Sequence, residues 1–270
     1  MDFNGKVIWI TGASSGIGAA LARDWASRGA AVILSGRDED RLAEVAQDCG
    51  DALILPFDVR NEAALAAATA SALAWKGSVD VAVANAGISQ RSRALNTDMQ
   101  VYRDIIEIDL IAQIAFAQGL IGPMTERGSG ALAFISSIAG KVGVPMRTAY
   151  SAAKFGLAGY ADALRGELSQ SGVSVHVIYP GSIATNISRN ALTADGAKRG
   201  RSDKAIEEGI RPDDAAKTMI DAIGAGVREI IVAQGSELAM GELRRTPDQL
   251  FDQISGMVAG GYLERMEAEE

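Results

Sequence analysis

Seven short apolar runs rich in β-branched residues recur along the chain, at residues 6–10, 31–35, 52–57, 79–84, 131–136, 173–179 and 229–233. Within each run the apolar character is continuous, not alternating. That is the pattern of a strand covered on both faces. Between the runs lie segments with apolar residues at helical spacing, at 17–27, 39–47, 62–75, 99–119, 150–169 and 213–222. Strand and helix in regular alternation predict an α/β protein with a doubly wound parallel sheet. All seven strands fit one sheet, so residues 1–270 read as a single domain. Two segments break the rhythm. Residues 187–211 are polar and charged and read as a substrate loop or lid. Residues 236–270 form a C-terminal extension with helical pieces, placed to pack on the sheet end or on another subunit.

Composition narrows the function. At 270 residues and 48% hydrophobic, the chain buries a sizeable core. Its formal net charge of -8 argues against nucleic acid or an anionic membrane as partner. One cysteine, Cys49, allows no internal disulfide, and one cysteine with one histidine builds no Cys/His zinc site, so no metal is expected. His176, in the run VSVHVIYP, reads as a core histidine. The start MDFNGKVIWITG has no basic segment before an apolar one, so no signal peptide is expected. No uninterrupted apolar stretch of about 20 residues stands out, so no membrane span and a cytoplasmic location are expected.

The first strand leads into a glycine-rich turn and then an amphipathic helix, in VIWITGASSGIGAALARDWA. Gly12, Gly16 and Gly18 are spaced G-x-x-x-G-x-G. Glycines permit a tight turn and close backbone approach, and a helix N-terminus offers free N–H groups to a pyrophosphate. This is a Rossmann-type dinucleotide site, with Ser14, Ser15 and Ile17 in the same turn. The second strand ends in Ser35-Gly36-Arg37, where an NAD-binding fold usually carries an acid. A guanidinium there suits a 2′-phosphate, so NADP(H) is expected over NAD(H), with NAD(H) still possible.

Tyr150 and Lys154 stand four residues apart in YSAAK on an alanine-rich helix, and so share a face. Together with TGASSGIG, NAG at 85–87, ISS at 135–137 and PGSIAT at 180–185, they make the chain resemble the short-chain dehydrogenases/reductases, in register over about 6–233. Locally, NAGISQRS and VYRDIIEID look most like the DHRS7-like branch of that family. The resemblance implies that Tyr150 is the general acid/base. Lys154 favours its ionised form and holds the nicotinamide ribose. Ser137, thirteen residues before the tyrosine, holds the substrate oxygen, and Ser136 is structural. It places Asp58 and Val59 beside the adenine, and Asn85, Ala86 and Gly87 near its ribose. It places Pro180, Gly181, Ile183 and Thr185 around the nicotinamide carboxamide. The family's fourth catalytic residue is an asparagine; here Asp109 occupies that place. A carboxylate there accepts hydrogen bonds but cannot donate.

The expected reaction is NADP(H)-dependent interconversion of a ketone or aldehyde and its alcohol, on a small-molecule substrate. A dinucleotide-binding sensor without turnover is the alternative, opposed by the intact Ser137, Tyr150 and Lys154. A lyase or epimerase of related fold would need a larger substrate domain. Ile138, Val142, Val144, Met146 and Ile187 are expected to line an apolar pocket. Arg91, Arg93, Arg147 and Arg189 are candidates to meet an anionic group, but are expected as solvated arginines. The helices at 99–119 and 150–169 are apolar on more than one side, which points to a homodimer or homotetramer.

Overall fold

The computed structural model describes residues 2–243, together with 256 and 259–261. The rest of the expected extension lies outside the described residues. Seven strands form one parallel sheet: β1 Val7–Thr11, β2 Ala31–Gly36, β3 Ala52–Pro56, β4 Val81–Ala84, β5 Gly130–Ile135, β6 Val173–Pro180 and β7 Glu229–Val232. Their order across the sheet is β3-β2-β1-β4-β5-β6-β7. The direction of winding therefore reverses between β1 and β4. In open α/β sheets that reversal leaves a crevice at the strands' C-terminal ends, where ligands bind.

The helices are α1 Gly16–Ser27, α2 Glu39–Gln47, α3 Glu62–Lys76, α4 Met99–Ile106, α5 Ala112–Arg127, α6 Thr148–Glu167, α7 Lys204–Glu207, α8 Pro212–Gly224 and α9 Gly235–Leu243. Because strand side chains alternate, neighbouring residues of one strand serve two cores. Ile8 and Ile10 face α1 and α8 with Val32, Leu34 and Ile220. Trp9, between them, faces the other side with Phe116, Leu120, Phe134 and Leu157 of α5, β5 and α6. This double coverage explains the unbroken apolar runs. Helix ends follow local chemistry. Asp38 caps α2 by accepting from Arg41 N at 3.1 Å, Asn61 caps α3 through Ala64 N at 3.0 Å, and Gly128, at φ 70, ends α5.

One element departs from the sequence pattern. The expected helix at 99–119 runs on to Arg127 and is interrupted by a π-helical turn, Glu107–Ile111, between α4 and α5. The continuous run Met99–Arg127 is long and apolar enough, by length and composition, to cross a bilayer, which its scattered polar residues had concealed. Here its Phe116, Leu120 and Met124 pack into the sheet's core. The lid is mostly irregular; its helical content is the single short α7.

Candidate active site

The sequence motifs meet at the C-terminal edge of the sheet. The glycine turn follows β1, NAG follows β4, Ser136 and Ser137 follow β5, and PGSIAT closes β6. Tyr150 and Lys154 lie in the first turns of α6. The Lys154 ammonium is 5.6 Å from the centre of the Tyr150 ring. It donates to Ile135 O at 3.0 Å and pairs with Asp109 Oδ2 at 3.2 Å. The π turn aims Asp109 inward, where it is fully buried and its Oδ1 accepts from Ile88 N at 2.8 Å. Burial pushes the Asp109 carboxyl above the usual range against the pull of Lys154. Burial alone would lower the Lys154 ammonium, but Asp109 and Tyr150 outweigh it and hold it above its ordinary value.

Ser137 Oγ accepts from Ala139 N at 3.1 Å and makes a long bond, 3.4 Å, to Pro180 O. A donor so weakly engaged is free to turn to another acceptor. Ser136 is structural, as expected: its buried hydroxyl donates to Lys154 O at 3.0 Å and ties α6 to the end of β5.

The turn after β1 is shaped for a phosphate. Gly12 has φ +66, and a Cβ there would lie 2.9 Å from Ala86 Cα. A Cβ on Gly18 would lie 2.3 Å from Gly12 O. Ser15 opens α1 without a side-chain cap, and no acid stands in the first turn. The N–H groups there are left for an anion, as a dinucleotide pyrophosphate requires. A cleft of ≈ 630 Å³ runs past them, lined in part by Ser14, Ser15, Gly16, Thr185 and Asn186. Asn85 acts as a strand tie: its Nδ2 donates to Thr11 O at 2.9 Å and Gly12 O at 3.2 Å. Ala86 and Gly87 continue that wall at the end of β4. At the end of β2, Ser35 is buried and accepts from Trp9 Nε1 at 2.9 Å, whereas Arg37 is exposed. Asp58 is held near pKa 2 by the hydrogen bonds and charge of Arg60, with Arg37 adding to the pull. Val59, next to it, packs against the core. Pro180 and Ile183 are buried, with Gly181 and Thr185 half-buried beside them.

Several expected placements are corrected. Ile138 does not line a pocket; it is buried in the core, because the short 3-10 turn Ile138–Gly140 tucks it under the sheet end. Arg91 and Arg147 are not solvated: both meet Asp203 of the lid, Arg91 at 2.7 Å and Arg147 at 3.6 Å. His176 is the core histidine expected, bonded to Ser174 and Val227 O. Other side chains that shape the site had no role assigned from the sequence, although Thr11 and Gln90 lie within its motifs. Thr11 Oγ1 accepts from Asn85 N and Ala86 N. Gln113 Nε2 donates to Ile108 O, in the π turn, and to Ala86 O. Gln90 accepts from Ala149 N at 2.9 Å, fixing the head of α6. Glu237 of α9 accepts from Ser182 N and Oγ at 2.6 and 2.9 Å, docking the tail on the PGSIAT segment.

A parallel sheet reversing at β1/β4, a glycine-shaped helix N-terminus at that crevice and a Tyr–Lys pair beside it define a dinucleotide-dependent oxidoreductase fold. A short chain dehydrogenase family model matches residues 6–196. The zebrafish (Danio rerio) dehydrogenase/reductase SDR family member 7B is 37% identical over 238 residues, spanning 84% of this chain and 77% of that protein. A short-chain dehydrogenase of Streptomyces avermitilis is 26% identical with a TM-score of 0.80, over 99% of this chain and all of that one. A short chain dehydrogenase/reductase of Burkholderia phymatum, solved with NAD, shares the fold at a TM-score of 0.81 and 22% identity, over 90% and 94% of the two chains. The chain belongs to the short-chain dehydrogenases/reductases, a family of oxidoreductase enzymes, and within it is similar to the DHRS7-like members.

Proposed function

We propose that this enzyme is an NADP(H)-dependent oxidoreductase that interconverts a ketone or aldehyde and its alcohol, with Tyr150 as general acid/base. The observation that carries the reading is Lys154, fixed between Ile135 O and Asp109 with its ammonium 5.6 Å from the Tyr150 ring. When bound, the reduced nicotinamide would supply the hydride; the protein supplies orientation and charge. Tyr150 gives its phenolic proton to the carbonyl oxygen in reduction and takes one from the hydroxyl in oxidation. Lys154 sets its positive charge beside the Tyr150 ring. Ser137 exchanges its long bond to Pro180 O for the substrate oxygen. Asp109 fixes Lys154 and cannot donate to a relay.

The cofactor is held by the turn from Gly12 to Gly18, by Asp58 and Val59, and by the Asn85–Gly87 and Pro180–Thr185 segments. Arg37 supports NADP(H): it is exposed at the end of β2, where Ser35 is already spent on Trp9. Exposed Met99 and Ile111, on α4 and the π turn, support a homodimer or homotetramer. The absence of a disulfide, with Cys49 free, is in keeping with a cytoplasmic location. The test is loss of reduced-nicotinamide absorbance across a carbonyl panel, beside fluorescence titrations with NADPH and NADH. Turnover and at least about tenfold tighter NADPH binding, roughly 1.4 kcal/mol, are expected. Binding without turnover of any carbonyl, or equal dissociation constants, would contradict the respective half.

A further inference from the structure

Three guanidinium groups converge on one carboxylate at the substrate side of the sheet. Asp203, in the lid just before α7, accepts from Arg91 Nε at Oδ2 (2.7 Å) and from Arg199 Nη1 at Oδ1 (2.5 Å). Each oxygen thus already accepts one guanidinium hydrogen bond. Arg147 approaches Oδ2 only to 3.6 Å, beyond hydrogen-bond reach. Among the described residues its guanidinium makes no hydrogen bond, although its side chain is only 25% exposed. Glu237 is near enough to act on it electrostatically, but the Glu237 oxygens are held by Ser182. Three cations meet one carboxylate, with Glu237 acting from farther off, and the cluster keeps an excess of positive charge in a protein whose net charge is negative.

The position of Arg147 matters as much as its charge. It heads α6 one turn before Tyr150, and the two interact electrostatically. Met146, just before it, has φ 64, the one positive value outside glycine among the described residues. Such strain in a non-glycine residue costs of order 1 kcal/mol or more and gathers at functional sites. Ser92 N holds Met146 O at 3.1 Å, so the strained turn is pinned to the loop after β4. The lid is closed on the same loop through Leu192 N to Ser89 O and Arg91 N to Leu192 O. A partly desolvated guanidinium with its fork of donors unused is costly alone and well matched to a carboxylate or phosphate.

We propose that Arg147 recognises an anionic group, carboxylate or phosphate, on the carbonyl substrate, with Asp203 as its counter-ion when the site is empty. This rests on the reading of Tyr150 as the acid/base, which places the reacting carbonyl one helical turn away. The test uses two ketone pairs that differ in charge and by one or two ester methyls: 4-oxopentanoate with its methyl ester, and 3-oxobutylphosphonate with its dimethyl ester. Steady-state kinetics with NADPH and calorimetry on the enzyme–NADPH complex are run on the parent, Arg147→Gln and Arg147→Lys. The parent is expected to prefer a charged member by about tenfold or more in kcat/KM, through KM. Arg147→Gln should lose that preference and leave the ester unchanged. Arg147→Lys, which keeps the charge but not the fork, should retain part of it. The arm with the larger loss tells carboxylate from phosphate. Equal losses on charged and neutral members, or no binding of either anion to the parent, would overturn the proposal. If no carbonyl turns over, calorimetry still decides: anion binding that vanishes in Arg147→Gln keeps the subsite while the acid/base reading falls.

Discussion

The cofactor side and the substrate side of the sheet edge are held by different means. From Gly12 to Gly18 the chain is fixed by backbone shape: a positive φ at Gly12, and contacts at Gly18 too close for any side chain. Its cross-links, Thr11 and Asn85, bond mostly to main chain. On the substrate side, loop 88–93, the head of α6 and the lid are joined by side-chain charge, through Asp203 and its three arginines. Backbone packing admits few alternatives. Ion pairs can be exchanged for a ligand's charge. One side thus suits a constant partner, the dinucleotide, and the other a partner that varies between related enzymes. Tyr150 and Lys154 stand on the border.

Substitutions sharpen or break this contrast. The largest effect is expected at the border: Tyr150→Phe should lower turnover by about 10²–10⁴, the usual worth of a general acid, with NADPH affinity unchanged. A parallel fall in affinity would make Tyr150 structural instead. On the cofactor side, Gly18→Ala brings a Cβ to 2.3 Å from Gly12 O. The cost should be about 1–3 kcal/mol in urea unfolding, with loss of NADPH binding. A variant of parental stability would mean the turn is plastic. Arg37→Ala should weaken NADPH by about tenfold and leave NADH alone, since one charge-assisted contact is worth about 1.5–3 kcal/mol at most.

The smallest change in rate is expected at Asp109, where the pair is ionic but as buried as the core. Asp109→Asn should keep turnover within about tenfold of the parent. Its signature is in pH. With the carboxylate present, the Lys154 charge is partly compensated and its ammonium is held above its ordinary value. With an amide, burial acts on Lys154 without that support, its ammonium should fall, and the alkaline limb of the pH profile should move to lower pH. An unmoved profile would mean the carboxylate does not govern the lysine.

The same contrast decides what was legible in the sequence. Strands showed through apolar runs because both sheet faces are covered, and β2, β4 and β6 lie within two residues of the runs that announce them. The glycine turn was legible because glycine spacing states a backbone shape directly. Tyr150, Lys154 and Ser137 were legible by resemblance; the structure sets Lys154 beside Tyr150 and bonds it to Ile135 O, two residues before Ser137. The substrate side was not legible, because its bonds join residues far apart in the chain. Arg91 and Asp203 are 112 residues apart and Ser182 and Glu237 are 55 apart, and no local pattern pairs them. The π turn was hidden for a related reason: Gln113, which takes up Ile108 O, looks like any polar residue of an amphipathic helix.

The most direct measurement follows deuterium from NADPH labelled at the transferable position of the nicotinamide ring into the product of a reduced ketone. Hydride transfer in the site of Tyr150, Lys154 and Ser137 predicts one deuterium on the carbinol carbon of the product, and about 10²–10⁴-fold less labelled product when Tyr150→Phe is used for the same time. Product alcohol formed without deuterium, or labelled equally by the Tyr150→Phe variant, would contradict the account.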